Sequence, residues 1–458
     1  MQYLNLVSSV NPATGETLAD YATHSPAEAR DRLERCHEAF ARWSRLPIAE
    51  RSRVLDRAAA LLTERRDELA RLATLEMGKT IVAAEAEVEK CAWVCAHYAE
   101  HAAAMLAEQR VASAASDSYV RFEPLGVLLA IMPWNFPYWQ AFRATAPALV
   151  AGNAVALKHA SNVTGCALAM ERLWRDAGLP EHAFTVLVVP GAEASELVAH
   201  PAVAAATLTG SEPAGASLGA AAGRALKKIV LELGGSDPFI VLADADVALA
   251  AREAAAARTI NNGQSCIAAK RFIAVETVAD EFEAALSRAL AALRVGDPLD
   301  RATDVGPLAR ADVVEALERQ VNDSVAAGAR LALGGRRRKG PGNYFPPALL
   351  TGVTPGMAAF DEETFGPLAG VTRARDAGEA VSLANRSRFG LGASLWTADA
   401  RAARELAGSL ESGSVFVNAT VRSDPRLPFG GIKRSGHGRE LGSIGIHEFV
   451  NAKTVWVA

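Results

Sequence analysis

Hydrophobic positions along this chain change their spacing twice. From Ser25 to about Glu108, alanine, leucine and arginine recur at helical spacing, and Ser25-Pro26-Ala27-Glu28 opens the run with a capping serine and a proline in the first turn. The first hundred residues are therefore expected to form a helical layer. From Leu125 short apolar runs alternate with helical segments, the runs falling at residues 126–132, 154–157, 184–189, 204–208 and 228–231. Five strands joined by such crossovers predict a parallel, doubly wound sheet. After Gly235 a second series follows, with strands expected at 238–242, 271–275, 344–350, 366–371, 393–396 and 414–418. This predicts a second α/β unit. Residues 112–123 and 449–457 read as strands with no place in either sheet.

Composition narrows the function classes. A chain of 458 residues with 50% hydrophobic and 22% charged content has material for two or three packed units. Its net charge of -4 gives no footprint for nucleic acid, and Arg336-Arg337-Arg338-Lys339 reads as a solvated loop beside Gly340-Pro341-Gly342. No apolar stretch reaches the roughly 18 residues needed to cross a bilayer, and residues 1–10 lack the basic start and apolar segment of a leader. The expectation is a cytoplasmic protein with no membrane partner. Five irregularly spaced cysteines do not make a disulfide framework and agree with a reducing compartment. Cys91 and Cys95, near His97 and His101, have a spacing that a metal can use. A packed helix face is the simpler reading, and no metal is expected.

Three segments carry candidate chemistry. Asn262-Gly263-Gln264-Ser265-Cys266 offers a thiol nucleophile, and Leu231-Glu232-Leu233-Gly234-Gly235 a carboxylate base. The glycines after Glu232 are expected to let its carboxylate swing. Either segment alone also fits a buried thiol or a strand-end charge. In Met132-Pro133-Trp134-Asn135-Phe136-Pro137 two prolines bracket one amide, which can then aim its NH2 at an oxyanion. Thr209-Gly210-Ser211-Glu212-Pro213 closes a strand and opens a helix, offering backbone N–H groups to a pyrophosphate. In the helix after Pro137, Trp139 and Arg143 stand four apart and share a face.

Asn135, Glu232 and Cys266, in that order and with these flanks, resemble the catalytic set of the aldehyde dehydrogenase superfamily. The resemblance runs from Asn11-Pro12-Ala13-Thr14-Gly15-Glu16 to Lys453-Thr454-Val455-Trp456, and the segments around the site look most like the bacterial succinate-semialdehyde dehydrogenase branch. It implies an α/β protein with two doubly wound domains and a small β oligomerisation flap. The dinucleotide-binding domain would take residues 1–110 and 125–235, the catalytic domain 236–432, and the oligomerisation segments 111–124 and 433–458, in a homodimer or homotetramer.

The resemblance also implies roles. Cys266 attacks an aldehyde, Asn135 and the Cys266 N–H hold the oxyanion, and hydride leaves to NADP or NAD. Glu232 then activates water to hydrolyse the thioester. Relatives that pass the acyl group to coenzyme A typically lack this glutamate, so Glu232 favours a free acid. Trp134, Lys158, Ser161, Gly210, Ser211, Gly234, Glu363 and Phe365 are the implied cofactor residues. Relatives that prefer NAD commonly carry glutamate at the position of Ser161. A serine beside Lys158 can instead donate to a 2′-phosphate, so NADP is expected to be preferred; in the alternative, Ser161 only caps the following helix. For the substrate, Trp139, Arg143, Ser265 and Ser423 are implied, with Arg143 clamping the far carboxylate of succinic semialdehyde, or holding a surface salt bridge with a helix neighbour instead. Glutarate semialdehyde, one methylene longer, fits the same logic. A non-catalytic scaffold has no need for Asn135, Lys158, Glu232, Cys266, Glu363 and Phe365 together.

Overall fold

A computed structural model describes residues 6–458. Residues 1–5, the start of the expected first segment and of the leader reading, lie outside the described residues. Every position of Val127–Met132 is buried, and that strand lies inside a six-stranded sheet. The five expected strands are Val127–Met132, Ala154–His159, Phe184–Val186, Val203–Thr209 and Lys228–Glu232, all parallel. The chain moves from Val127–Met132 outward to Phe184–Val186, then returns to place Val203–Thr209 on the other side. This reversal leaves a crevice at the carboxyl ends of Val127–Met132 and Val203–Thr209, where doubly wound sheets bind nucleotides. The short strand Gly436–His437 adds an antiparallel edge, with Gly436 opposite Glu232.

The second sheet has seven strands with Asp237–Val241, Ala269–Val275 and Leu368–Ala374 in its interior. Its six expected strands are parallel, and Arg330–Leu333 adds an antiparallel edge. Four helices, Pro26–Trp43, Ile48–Glu64, Arg66–Met77 and Ile81–Met105, form the helical layer. Ser25 and Glu28 close a reciprocal capping box on the first.

The helical reading of the first hundred residues needs one correction. Leu6–Val10 and Thr17–Ala22 pair as an antiparallel hairpin before the first helix. Only Ser9 of the first strand is buried, so the hairpin has no apolar alternation to announce it. The two strands without a sheet pair with each other: Val450–Val457 runs antiparallel to Asp117–Pro124 over eight residue pairs, and Gln109–Arg110 adds a third strand. Among the described residues no helix is long and apolar enough to cross a membrane.

Candidate active site

The nucleophile loop follows the helix Val247–Thr259. Asn261, Asn262 and Gly263 have φ of 55°, 58° and 79°, three consecutive left-handed residues. Asparagine tolerates this region better than most side chains, and here both amides repay the strain with hydrogen bonds. Asn262 Nδ2 donates to the carbonyls of Gly78 (2.9 Å) and Pro307 (3.0 Å), while its Oδ1 accepts from the Gly306 N–H (2.9 Å). Asn261 Nδ2 donates to the carbonyls of Asn135 (2.6 Å) and Gln264 (3.0 Å). Two buried cations hold the loop from behind. Lys270 Nζ donates to the carbonyls of Ser265 and Cys266, each at 2.8 Å, and Arg258 Nη2 to that of Gly263 at 2.7 Å. The sequence offered a signal for one of them: Lys270, with Arg271 beside it, is a charge in an otherwise apolar strand.

Cys266 stands between two cavities. One, of about 220 Å³, is mostly apolar and is lined by Phe136, Trp139, Ser265, Ile267 and Phe429. The other, of about 270 Å³, opens at the crevice between the strands and is lined by Trp134, Asn135, Gly210, Ser211, Gly234, Glu363 and Phe365. Cys266 and Gln140 line both. Burial pushes the Cys266 thiol up to about 12, against the opposing pull of Arg143 and Lys270, so the resting group is a thiol.

Asn135 is buried beside Cys266, its Nδ2 donating to the Gln264 carbonyl at 3.0 Å. No hydrogen bond among the described residues uses the Cys266 N–H. An amide on the loop carbonyl and a free N–H therefore flank the thiol, the donor pair an oxyanion requires.

Glu232 lies deeper and lines neither cavity. Both carboxylate oxygens are buried without a hydrogen-bond partner. Burial pushes Glu232 well above the ordinary carboxylate range; the neighbouring Glu440 adds to the rise and Arg143 opposes it. The following glycines also make room for close neighbours. A Cβ on Gly235 would fall 2.5 Å from the Cys266 carbonyl oxygen, and one on Gly234 would fall 2.6 Å from Glu363 Oε2. They let the base segment, the nucleophile loop and Glu363 approach one another. Gly235 N–H donates to Glu363 Oε1 at 3.0 Å. The glycine against the Glu232 carboxylate itself is Gly430, where a Cβ would fall 2.6 Å from Oε1.

On the substrate side, Trp139 and Arg143 face the same cavity from the helix Trp139–Ala151. Glu87 fixes that helix by accepting from the N–H groups of Tyr138 (2.7 Å) and Trp139 (2.8 Å). Arg143 is not a free cation: its guanidinium forms a buried ion pair with Glu440, donates to Thr209 Oγ1 at 3.3 Å and lies over the Phe429 ring. The sequence alternative, a surface salt bridge with a helix neighbour, is corrected: the pair is interior and its partner, Glu440, lies outside the helix. Ser265 Oγ is fully buried without a partner, and Ser423 Oγ accepts from Lys90 Nζ at 2.8 Å. Lys90 and Arg422 also line this cavity.

The crevice side suits a dinucleotide. Gly210 and Ser211, which line this cavity, precede the helix Glu212–Arg224, so the N-terminus of that helix lies at its edge. Trp134 and Phe365 meet edge to face at 5.6 Å, giving an aromatic wall beside Glu363. Lys158 is the penultimate residue of the strand Ala154–His159 and lies outside this cavity, with Ser161 exposed just beyond the strand. Ser161 does not cap the next helix: Thr164–Asp176 has Val163 at its N-cap and no side-chain cap bond. Its hydroxyl is thus free for a ligand.

A crevice at the strand ends and a partly exposed thiol flanked by an amide and a free N–H fit a cofactor-dependent enzyme in which the cysteine forms a covalent adduct. The chain belongs to the aldehyde dehydrogenase family, whose model matches residues 2–455. It is 53% identical over 452 residues to a Synechocystis protein named probable succinate-semialdehyde dehydrogenase (NADP+), covering 99% of this chain and 100% of that one. It is 48% identical over 455 residues to succinate-semialdehyde dehydrogenase (NADP+) 1 of Mycobacterium tuberculosis, at 99% and 100% coverage. The crystal structure of succinic semialdehyde dehydrogenase from Streptococcus pyogenes in complex with NADP+ superposes with a TM-score of 0.96 at 34% identity, covering 98% of this chain and 99% of that one.

Proposed function

We propose that this enzyme oxidises succinic semialdehyde to succinate with NADP as the preferred hydride acceptor and NAD as a second one. The observation that carries this reading is the position of Cys266 between a dinucleotide crevice and an apolar cavity that holds cationic side chains. Cys266 adds to the aldehyde carbon, and Asn135 Nδ2 with the Cys266 N–H receives the oxyanion. When bound, the nicotinamide cofactor supplies the acceptor for the hydride that the adduct loses. Trp134, Gly210, Ser211, Gly234, Glu363 and Phe365 would hold its pyrophosphate and nicotinamide end, and Lys158 with Ser161 its adenosine end. The Cys266 thioester is hydrolysed by water that Glu232 deprotonates after turning out of its buried position. A base with a raised pKa suits that task near neutral pH. Trp139, Arg143, Ser265 and Ser423 bind the semialdehyde.

The sheet of Val450–Val457, Asp117–Pro124 and Gln109–Arg110 supports assembly into a homodimer or homotetramer, because Trp456 and Val111 beside it are exposed. The site of action is the cytoplasm. Initial rates of reduced-cofactor formation test the reading, measured with succinic semialdehyde, glutarate semialdehyde and butanal, each with NADP and NAD. The four-carbon acid semialdehyde with NADP gives the highest kcat/KM. Equal values for succinic semialdehyde and butanal would overturn the substrate, and a preference for NAD would overturn the cofactor.

A further inference from the structure

We infer that Lys90, held by Ser423, is the cation that selects the substrate's carboxylate. The inference rests on the acid-semialdehyde reading above and names the group that enforces it. Lys90 enters the cavity from the helix Ile81–Met105, opposite the face that carries Trp139 and Arg143. Its Nζ lies 4.4 Å from the Trp139 ring centroid and donates to Ser423 Oγ at 2.8 Å. Both fixing groups are neutral. The other buried cations of this region are matched: Lys79 pairs with Glu87, and Arg143 with Glu440. Among the described residues Lys90 has no carboxylate at ion-pair distance.

An ammonium has three donors, and Ser423 uses one. Two remain for a carboxylate that must shed water to enter an apolar cavity, where an unmatched charge is costly. Arg143 can still touch that carboxylate, but Glu440 already balances its charge, and Arg422, the third cation lining the cavity, is exposed and screened by water, so the attraction that distinguishes an acid semialdehyde from a neutral one comes from Lys90. The groups that face Lys90 are Glu87 and Cys91 on its own helix, Arg143 on the helix Trp139–Ala151, and Asp424 on the loop that carries Ser423. Asp424 is tied at 2.8 and 2.6 Å to Arg426. Burial, then the Arg143 charge, brings the Lys90 ammonium down to about 8. It is therefore protonated at neutral pH and loses its proton in mildly alkaline solution.

The test compares Lys90→Met and Lys90→Arg with the wild type on succinic semialdehyde and butanal from pH 6.5 to 9.5. In Lys90→Met the KM for the acid semialdehyde rises by about 10- to 100-fold more than that for butanal, the scale of one charge-assisted bond. Lys90→Arg, which keeps the charge, restores most of the discrimination. In the wild type the preference for the acid falls as pH rises through about 8, and Lys90→Arg removes that fall. Equal losses on both aldehydes in Lys90→Met, or discrimination that survives it, overturn the assignment. A wild type that does not discriminate at all overturns the substrate reading itself, so the two failures are distinct.

Discussion

The Arg143 guanidinium and the Glu440 carboxylate form an ion pair with both side chains 2% exposed, beside the unpartnered carboxylate of Glu232. Removing one member of a buried pair leaves the other charge without compensation. Glu440→Ala should therefore lose about 3–5 kcal/mol of stability, read from urea unfolding. The same change acts on the base. Glu440 repels the charged form of Glu232, so its removal lowers the Glu232 pKa and lets the base stay ionised at lower pH. The acid limb of the pH profile for hydrolysis should move down. Unchanged stability together with an unmoved profile would contradict the coupling.

Resting Cys266 is a thiol because burial outweighs the nearby cations. With cofactor absent, its alkylation by iodoacetamide should rise about tenfold per pH unit from pH 7 to 9, following the thiolate fraction. The other four cysteines are buried whereas Cys266 is partly exposed, so peptide mapping should find the label at Cys266. A plateau below pH 9 would mean that the free enzyme already stabilises the thiolate.

Ser161 is exposed and caps no helix, which leaves its hydroxyl free for a ligand. Ser161→Glu replaces a donor with a like charge facing a 2′-phosphate. The ratio of kcat/KM for NADP over NAD should fall by about 10- to 100-fold, mainly through KM for NADP, as expected for one lost charge-assisted bond. No change in that ratio would assign the discrimination to another residue.

Much of this could be read from periodicity and local chemistry. The parallel strands are short apolar runs, and Pro133–Pro137 declares its turn by two prolines. The hairpin of Leu6–Val10 and Thr17–Ala22 was not legible, because its strands are mostly exposed and apolar residues do not alternate along them. Gly436–His437 is too short to carry a period, although it shields Glu232 from the edge of the sheet. Polar partners distant in sequence were equally hidden. Lys90 and Ser423 meet across 333 positions, and Glu440 reaches Arg143 from the far end of the chain. The glycines after Glu232 were legible as special positions, but their close approach to Cys266 and Glu363 exists only once three loops converge.

The most direct test of the covalent account is a rapid-mixing experiment on Glu232→Gln with NADP and succinic semialdehyde, followed by mass spectrometry. Glutamine keeps the shape of the side chain but cannot take a proton from water. The account predicts a burst of about one NADPH per subunit, then a stall, with the acyl group on the Cys266 peptide. Steady turnover at the wild-type rate, with no acyl group on Cys266, would contradict it.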